Sequence, residues 1–256
     1  MNFGICNLSI VPLRSIPSDA SELVSQVLFG ERFNIIERDK NWSKIALADD
    51  GYQGWIDNKQ FKLISEKVFN ELEETKKTLA ANLIDFTENQ EKQLIAIPIG
   101  AALPNFNNNF FKIDNENYSY FGDTVSEKRP KGNLIRTAYS YLNTPYLWGG
   151  RTPFGIDCSG FTQMVYRLNG YKIMRDASDQ SRQGVPLSFI EESEPGDLAF
   201  FDNEDGSITH VGIIMKDNYI IHAHGKVRID RIDHLGIFNV ETLKHTHRLR
   251  VLKKII

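Results

Sequence analysis

Residues 155–170 read GIDCSGFTQMVYRLNG and hold one of only two cysteines in the chain. Phe161, Met164, Val165 and Leu168 recur at the spacing of one helical face, which predicts a helix with a buried stripe. Asp157 is a good N-cap and Gly170 a good stop, so Cys158 falls at the first helical position. Backbone N–H groups there lack intrahelical partners and carry the positive end of the helix dipole. A thiolate is stabilised at such a place, so its pKa is expected to fall. The same N–H groups suit a developing oxyanion. Position, more than residue type, makes Cys158 a candidate nucleophile.

A nucleophilic cysteine needs a base. Downstream, THVGIIMKDNYIIHAHG (209–225) offers His210, His222 and His224. If the turn at Lys216–Asn218 is odd in length, Met215 pairs with Tyr219 and His222 lies opposite Gly212. His210 and His222 then share a face as diagonal neighbours. His210 would take the thiol proton and His222 would orient it. Parity alone does not separate His222 from His224. His234, His245 and His247 read as solvated or locally satisfied residues. His245 and His247 could share a strand face, but two ligands without a third make a weak metal site.

Around this stretch the chain divides by texture. Residues 1–63 carry short β-branched and aromatic runs broken by turn signals at Gly30-Glu31 and Asp49-Asp50-Gly51, the pattern of a small all-β barrel. Residues 64–124 hold a polar linker or short helix and then more short strands, read as a second, divergent barrel. The charged stretch VSEKRPKGN (125–133) marks a boundary. Residues 125–256 open with a helix over NLIRTAYSYLNTPY, facing inward through Leu134, Ala138, Tyr141 and Leu142. Strands follow at 196–202, 209–215, 219–223 and 226–232. Helices on an antiparallel sheet define an α+β domain. Trp148 reads as core.

The net charge of −3 offers no basic stripe for nucleic acid. No apolar run approaches a membrane span. Two cysteines make no disulfide framework, which suits a reducing compartment. With no secretory leader at the N-terminus of the sequence, a cytoplasmic location is expected.

PYLWGG (145–150), DCSGF (157–161), HVGI (210–213) and IHA (221–223) occur in this order and resemble the NlpC/p60 cysteine peptidases. The NWSKIAL and DGYQGWI segments resemble bacterial SH3-like domains. The first resemblance implies a trimmed papain-like α+β fold with Cys158 as nucleophile, His210 as base and His222 as third polar residue. Tyr146 would stand beside the oxyanion, and the chemistry would use no cofactor or metal. The two resemblances together imply an endopeptidase of cell-wall peptide recycling. It would cut between γ-D-glutamate and a diamino acid (diaminopimelate or lysine) in peptidoglycan stem peptides with a free N-terminal L-alanine. The first SH3-like domain would wall the active site in such enzymes, with Glu31, Tyr52 and Asp157 holding the substrate ammonium. Ser159 and Ser178 would hold the D-glutamate carboxylate. A non-catalytic wall-binding module is the competing class, and an amidase or acyltransferase is the competing chemistry on the same fold.

Overall fold

The computed structural model describes residues 2–256. The chain divides into two compact units, one of residues up to 127 together with 148–153, the other of residues 128–147 and 154–256.

In the first unit, β1 (Phe3–Ile5), β2 (Ile10–Arg14), β3 (Leu23–Leu28), β4 (Arg32–Arg38), β5 (Trp42–Leu47), β6 (Gln53–Asp57) and β7 (Lys62–Ile64) build a seven-stranded sheet in the order β3-β2-β6-β5-β4-β1-β7. Strand alternation sets its inside. In β5, Ser43, Ile45 and Leu47 are buried while their neighbours are half-exposed. Val11, Leu13, Val27, Phe33, Ile45 and Ile56 form the resulting core. The ambiguous segment after it is a true helix, α1 (Glu66–Glu74), capped by the Ser65 hydroxyl accepting from the Val68 N–H. It buries only Phe69 and Leu72, the thin face its sequence offers.

Beyond it, β8 (Leu79–Ala80), β9 (Ile84–Asn89), β10 (Leu94–Pro98), β11 (Phe110–Ile113), β12 (Glu116–Tyr120) and β13 (Thr124–Val125) form a four-stranded sheet, β10-β9-β12-β11, and a β13-β8 ribbon. Phe29 meets Phe111 and Tyr118 edge-on at 5.9 and 5.7 Å, joining the two sheet systems through one aromatic cluster. The short β14 (Arg151–Thr152) also belongs to this unit.

The second unit contains α2 (Asn133–Tyr139), β15 (Gly155–Ile156), α3 (Cys158–Leu168), α4 (Ala177–Gln180), and the strands β16 (Val185–Leu187), β17 (Leu198–Asp202), β18 (Ile208–Ile214), β19 (Tyr219–His224), β20 (Lys226–Ile232), β21 (Gly236–Asn239) and β22 (Lys244–Lys254). α2 ends earlier than its sequence suggested, at Tyr139, so Leu142 is exposed although Tyr141 stays in the core.

The expected sheet under helices is instead a closed barrel. Strands run β16-β22-β17-β18-β19-β20-β21, and β22 pairs again with β21. The eleven residues of β22 make this closure. Its first half faces β21, from Lys244 opposite Asn239 to Arg248 opposite Gly236. Its second half faces β17, from Arg248 opposite Asp202 to Lys253 opposite Leu198, and its end also takes β16.

α3 departs from expectation as well. All eleven of its residues are buried, not one face. Phe161, Met164, Val165 and Leu168 each stabilise the unit by about 1.5–3 kcal/mol. The polar positions find partners, Thr162 donating to Gln180 Oε1 at 2.7 Å and Gln163 donating to the Ile173 carbonyl at 3.2 Å. These two bonds offset part of the cost of burying polar side chains all round the helix.

Candidate active site

Asp157 caps α3 as its sequence requires, with Oδ1 accepting from the Gly160 N–H at 2.6 Å. This holds Cys158 at the first helical position, in the interior. The N–H groups of Val211 and Ser159 point at the sulfur. The expected lowering of the thiol pKa is overturned. Burial and the neighbouring Asp157 carboxylate push it up to about 12, outweighing the two N–H groups and Arg175. Desolvation of the charged form exceeds what a helix terminus returns.

Val211 follows His210 on β18, which brings that strand to the sulfur. The three-residue turn after Met215 closes as anticipated, with the Met215 N–H donating to Tyr219 at 2.8 Å. Gly212 therefore lies opposite His222. A Cβ on Gly212 would approach His222 Cβ to 2.9 Å and Ile220 Cδ1 to 2.7 Å, so the glycine makes room for the histidine. His210 Nε2 and His222 Nδ1 are 2.8 Å apart, and His222 Nε2 lies 3.0 Å from Asp230 Oδ2. His224 has no place in this chain. It is exposed, its ring centroid 6.4 Å from that of His210, and the structure separates what parity left open. Burial and the nearby imidazoles of His222, His247 and His224 hold His210 well below the ordinary histidine value. Thiol and imidazole thus rest as a neutral pair.

Tyr146 bonds through its backbone to Gly225, and its phenol is pushed up, chiefly by burial. Asp157 is more occupied than an ammonium ligand would be. Arg175 pairs with both of its oxygens, at 3.0 and 2.6 Å, and also donates to Ser159 Oγ at 2.9 Å. Ser178 is half-buried in the short α4, its carbonyl accepting from Ser181 Oγ.

Glu31 and Tyr52 belong to the first unit. Glu31 is buried, with Arg151 donating to both carboxylate oxygens at 2.9 and 3.0 Å and the Leu28 N–H adding a third bond. Tyr52 packs against that unit's core. Trp148, read as core, is 59% exposed, its indole N–H donating to Glu22 in the same unit.

Sequence reasoning missed Asp230, Arg228, Arg175 and His247. A signal for Asp230 existed. KVRIDRI alternates, and with His222 opposite Arg228, Asp230 sits two residues further along, on the same face as both. His247, read as solvated or locally satisfied, is half-buried and meets the neighbouring Thr246 Oγ1 at 2.8 Å through Nδ1. Its ring also stacks on His210 at 4.2 Å, whereas His245 turns to Asp233 at 2.9 Å. A bulge between Ile237 and Phe238 separates the two histidines' surroundings and removes the two-ligand face considered above.

A thiol at the buried start of α3, a helix packed against the two strands that carry a linked histidine pair, is the equipment of a cysteine hydrolase. The chain's residues 143–245 match the NlpC/P60 family, and residues 13–61 match the bacterial dipeptidyl-peptidase Sh3 domain. The chain belongs to the NlpC/P60 family and is a cysteine peptidase. It is 32% identical to the gamma-D-glutamyl-L-lysine dipeptidyl-peptidase of Bacillus subtilis, over 78% of this chain and 71% of that protein. The protein of the same name from Bacillus cereus is 29% identical, over 80% and 68%. The crystal structure of an NlpC/P60 family protein from Bacillus cereus shares the fold, with a TM-score of 0.82 at 21% identity over 99% of each chain. No helix among the described residues is long and apolar enough to cross a membrane.

Proposed function

We propose that this chain hydrolyses the γ-D-glutamyl–diamino acid bond of cell-wall-derived peptides through a thioester on Cys158. The observation that carries the chemistry is the hydrogen-bonded run His210–His222–Asp230 beside a cysteine at a helix start. The named activity of the two Bacillus relatives supports the substrate. The placement of the cysteine on α3 against histidines on β18 and β19 supports a papain-like reading of the site.

Because thiol and imidazole rest neutral, attack and proton transfer are coupled. Cys158 Sγ bonds to the γ-glutamyl carbonyl carbon as its proton passes to His210. The oxyanion takes hydrogen bonds from the Cys158 N–H and the Tyr146 hydroxyl. Collapse breaks the C–N bond, and His210 returns the proton to the leaving amine. Water, deprotonated by His210, then opens the thioester and regenerates the thiol. Substrate contacts by Glu31, Tyr52, Asp157, Ser159 and Ser178 remain part of the proposal. Glu31 and Asp157 each already neutralise a buried arginine, and Ser159 Oγ accepts from the arginine that pairs with Asp157.

Mass spectrometry of L-Ala-γ-D-Glu-L-Lys and its diaminopimelate counterpart after incubation tests the reading, with N-acetylated copies and Cys158→Ala alongside. Free-amine peptides are expected to be cut, and the variant to be inert. Turnover by Cys158→Ala would remove the thioester mechanism. Equal cutting of acetylated peptides would remove the ammonium contacts.

A further inference from the structure

Asp230 is fully buried on β20, with β19 between it and His210 on β18. Four donors converge on it. Oδ1 takes Arg228 Nη2 at 3.0 Å and the Val240 N–H at 3.0 Å. Oδ2 takes Arg228 Nε at 2.6 Å and faces His222 Nε2 at 3.0 Å. A carboxylate in this setting only accepts, so the proton between Asp230 and His222 resides on Nε2. The other nitrogen of a neutral imidazole is then an acceptor. His222 Nδ1 accepts, and His210 Nε2 must donate across the 2.8 Å gap. One nitrogen of His210 is left with a lone pair, its Nδ1.

We infer that Asp230 is a positioning residue of the peptidase, which fixes the tautomers of both histidines in series and thereby leaves His210 Nδ1 as the basic atom. The inference rests on the cysteine-peptidase reading above. Burial works to raise the Asp230 carboxyl, but the bonds from His222, Arg228 and Val240 hold it well below the usual carboxylate range, so it stays an acceptor. The charged and titratable groups around His222 are His210 on β18, His224 on its own strand, Asp230 and Arg228 on β20, and His247 on β22. Of these, Asp230 is the group bonded to Nε2.

Asp230→Asn makes the inference sharp. An amide nitrogen at the Oδ1 place would meet two donors, Arg228 and the Val240 N–H. At the Oδ2 place it meets one and can donate to His222 Nε2. That inverts the series, and His210 would present Nδ1–H, an occupied nitrogen, to the thiol. Asp230→Ala only releases the tautomers. The expected order of kcat is wild type, then Ala, then Asn, with Asn down on the order of 10³-fold or more and KM within about threefold.

In ¹⁵N-histidine NMR of the wild-type protein, His210 and His222 are both expected to carry the proton on Nε2. Asp230→Asn is expected to move it to Nδ1 in both. A wild-type spectrum with either histidine protonated on Nδ1 overturns the inference, whether or not the variants fold. So does a folded Asp230→Asn protein with wild-type kcat. Activity persisting in Cys158→Ala would instead strike the underlying reading, so the two failures are told apart.

Discussion

At the residue scale, burial decides the chemistry of the site. Cys158 and His210 both lie in the interior, and burial opposes the charged form of each. The thiolate–imidazolium pair is therefore the minor state before substrate arrives. Alkylation of Cys158 by iodoacetamide is expected to be slow at pH 7 and to climb without a plateau through pH 9, as befits a thiol pushed up to about 12. A plateau below pH 7 would contradict it. The histidine carries the opposite sign. A lowered folded pKa means that His210 stays neutral, and competent as a base, below the ordinary value near 6.5. The acid limb of kcat/KM is expected below that ordinary value. The same shift links to stability. Below about 6.5 the unfolded chain binds protons that the folded state refuses, so stability is full above that value and falls as pH drops towards the lowered folded pKa. A midpoint of denaturation flat from pH 7 to 5 would sink this part.

At the scale of elements, two departures from the sequence reading share a cause. The cap, the helix start and the β18–β19 register were legible because they follow from local rules: Asp157 before a helix, alternation, an odd turn. The full burial of α3 was not, because Thr162, Gln163 and Arg167 look solvent-facing until Gln180 and the Ile173 carbonyl are brought up to two of them. Nor was β22, whose KHTHRLR run is charged and exposed on one side. Its pairing with both β21 and β17 depends on strands distant in sequence. That closure rests on Gly236, whose φ of +140° few side chains adopt. A Cβ there would stand 1.8 Å from the His247 carbonyl oxygen. Gly236→Ala is expected to cost about 2–4 kcal/mol and to disturb the histidine stack as β22 yields. Urea denaturation checks the first, and kcat the second. A variant as stable and active as wild type would show that the seam tolerates displacement.

At the scale of the whole chain, the least legible contact is Glu31–Arg151, whose partners stand 120 positions apart. Glu31 was read as turn chemistry or a ligand, and nothing local announces that Arg151 returns to the first unit. Both groups are buried, and removing one leaves the other charged in the interior. Arg151→Met is expected to destabilise the first unit by about 3–5 kcal/mol, with much of the loss recovered in Arg151→Met/Glu31→Leu. Trp42, Trp55 and Trp148, the chain's three tryptophans, all belong to that unit. Tryptophan fluorescence therefore follows its transition selectively. No change in that transition would mean the pair is dispensable to the unit's stability.

The long final strand also has a meaning in time. During synthesis α3, β18 and β19 leave the ribosome before Lys244–Lys254 does, yet the ring of strands stays open until that segment docks between β17 and β21. Pairings this distant in sequence form late and slowly. Until that segment docks, the chain carries Cys158, His210 and His222 without the closed ring.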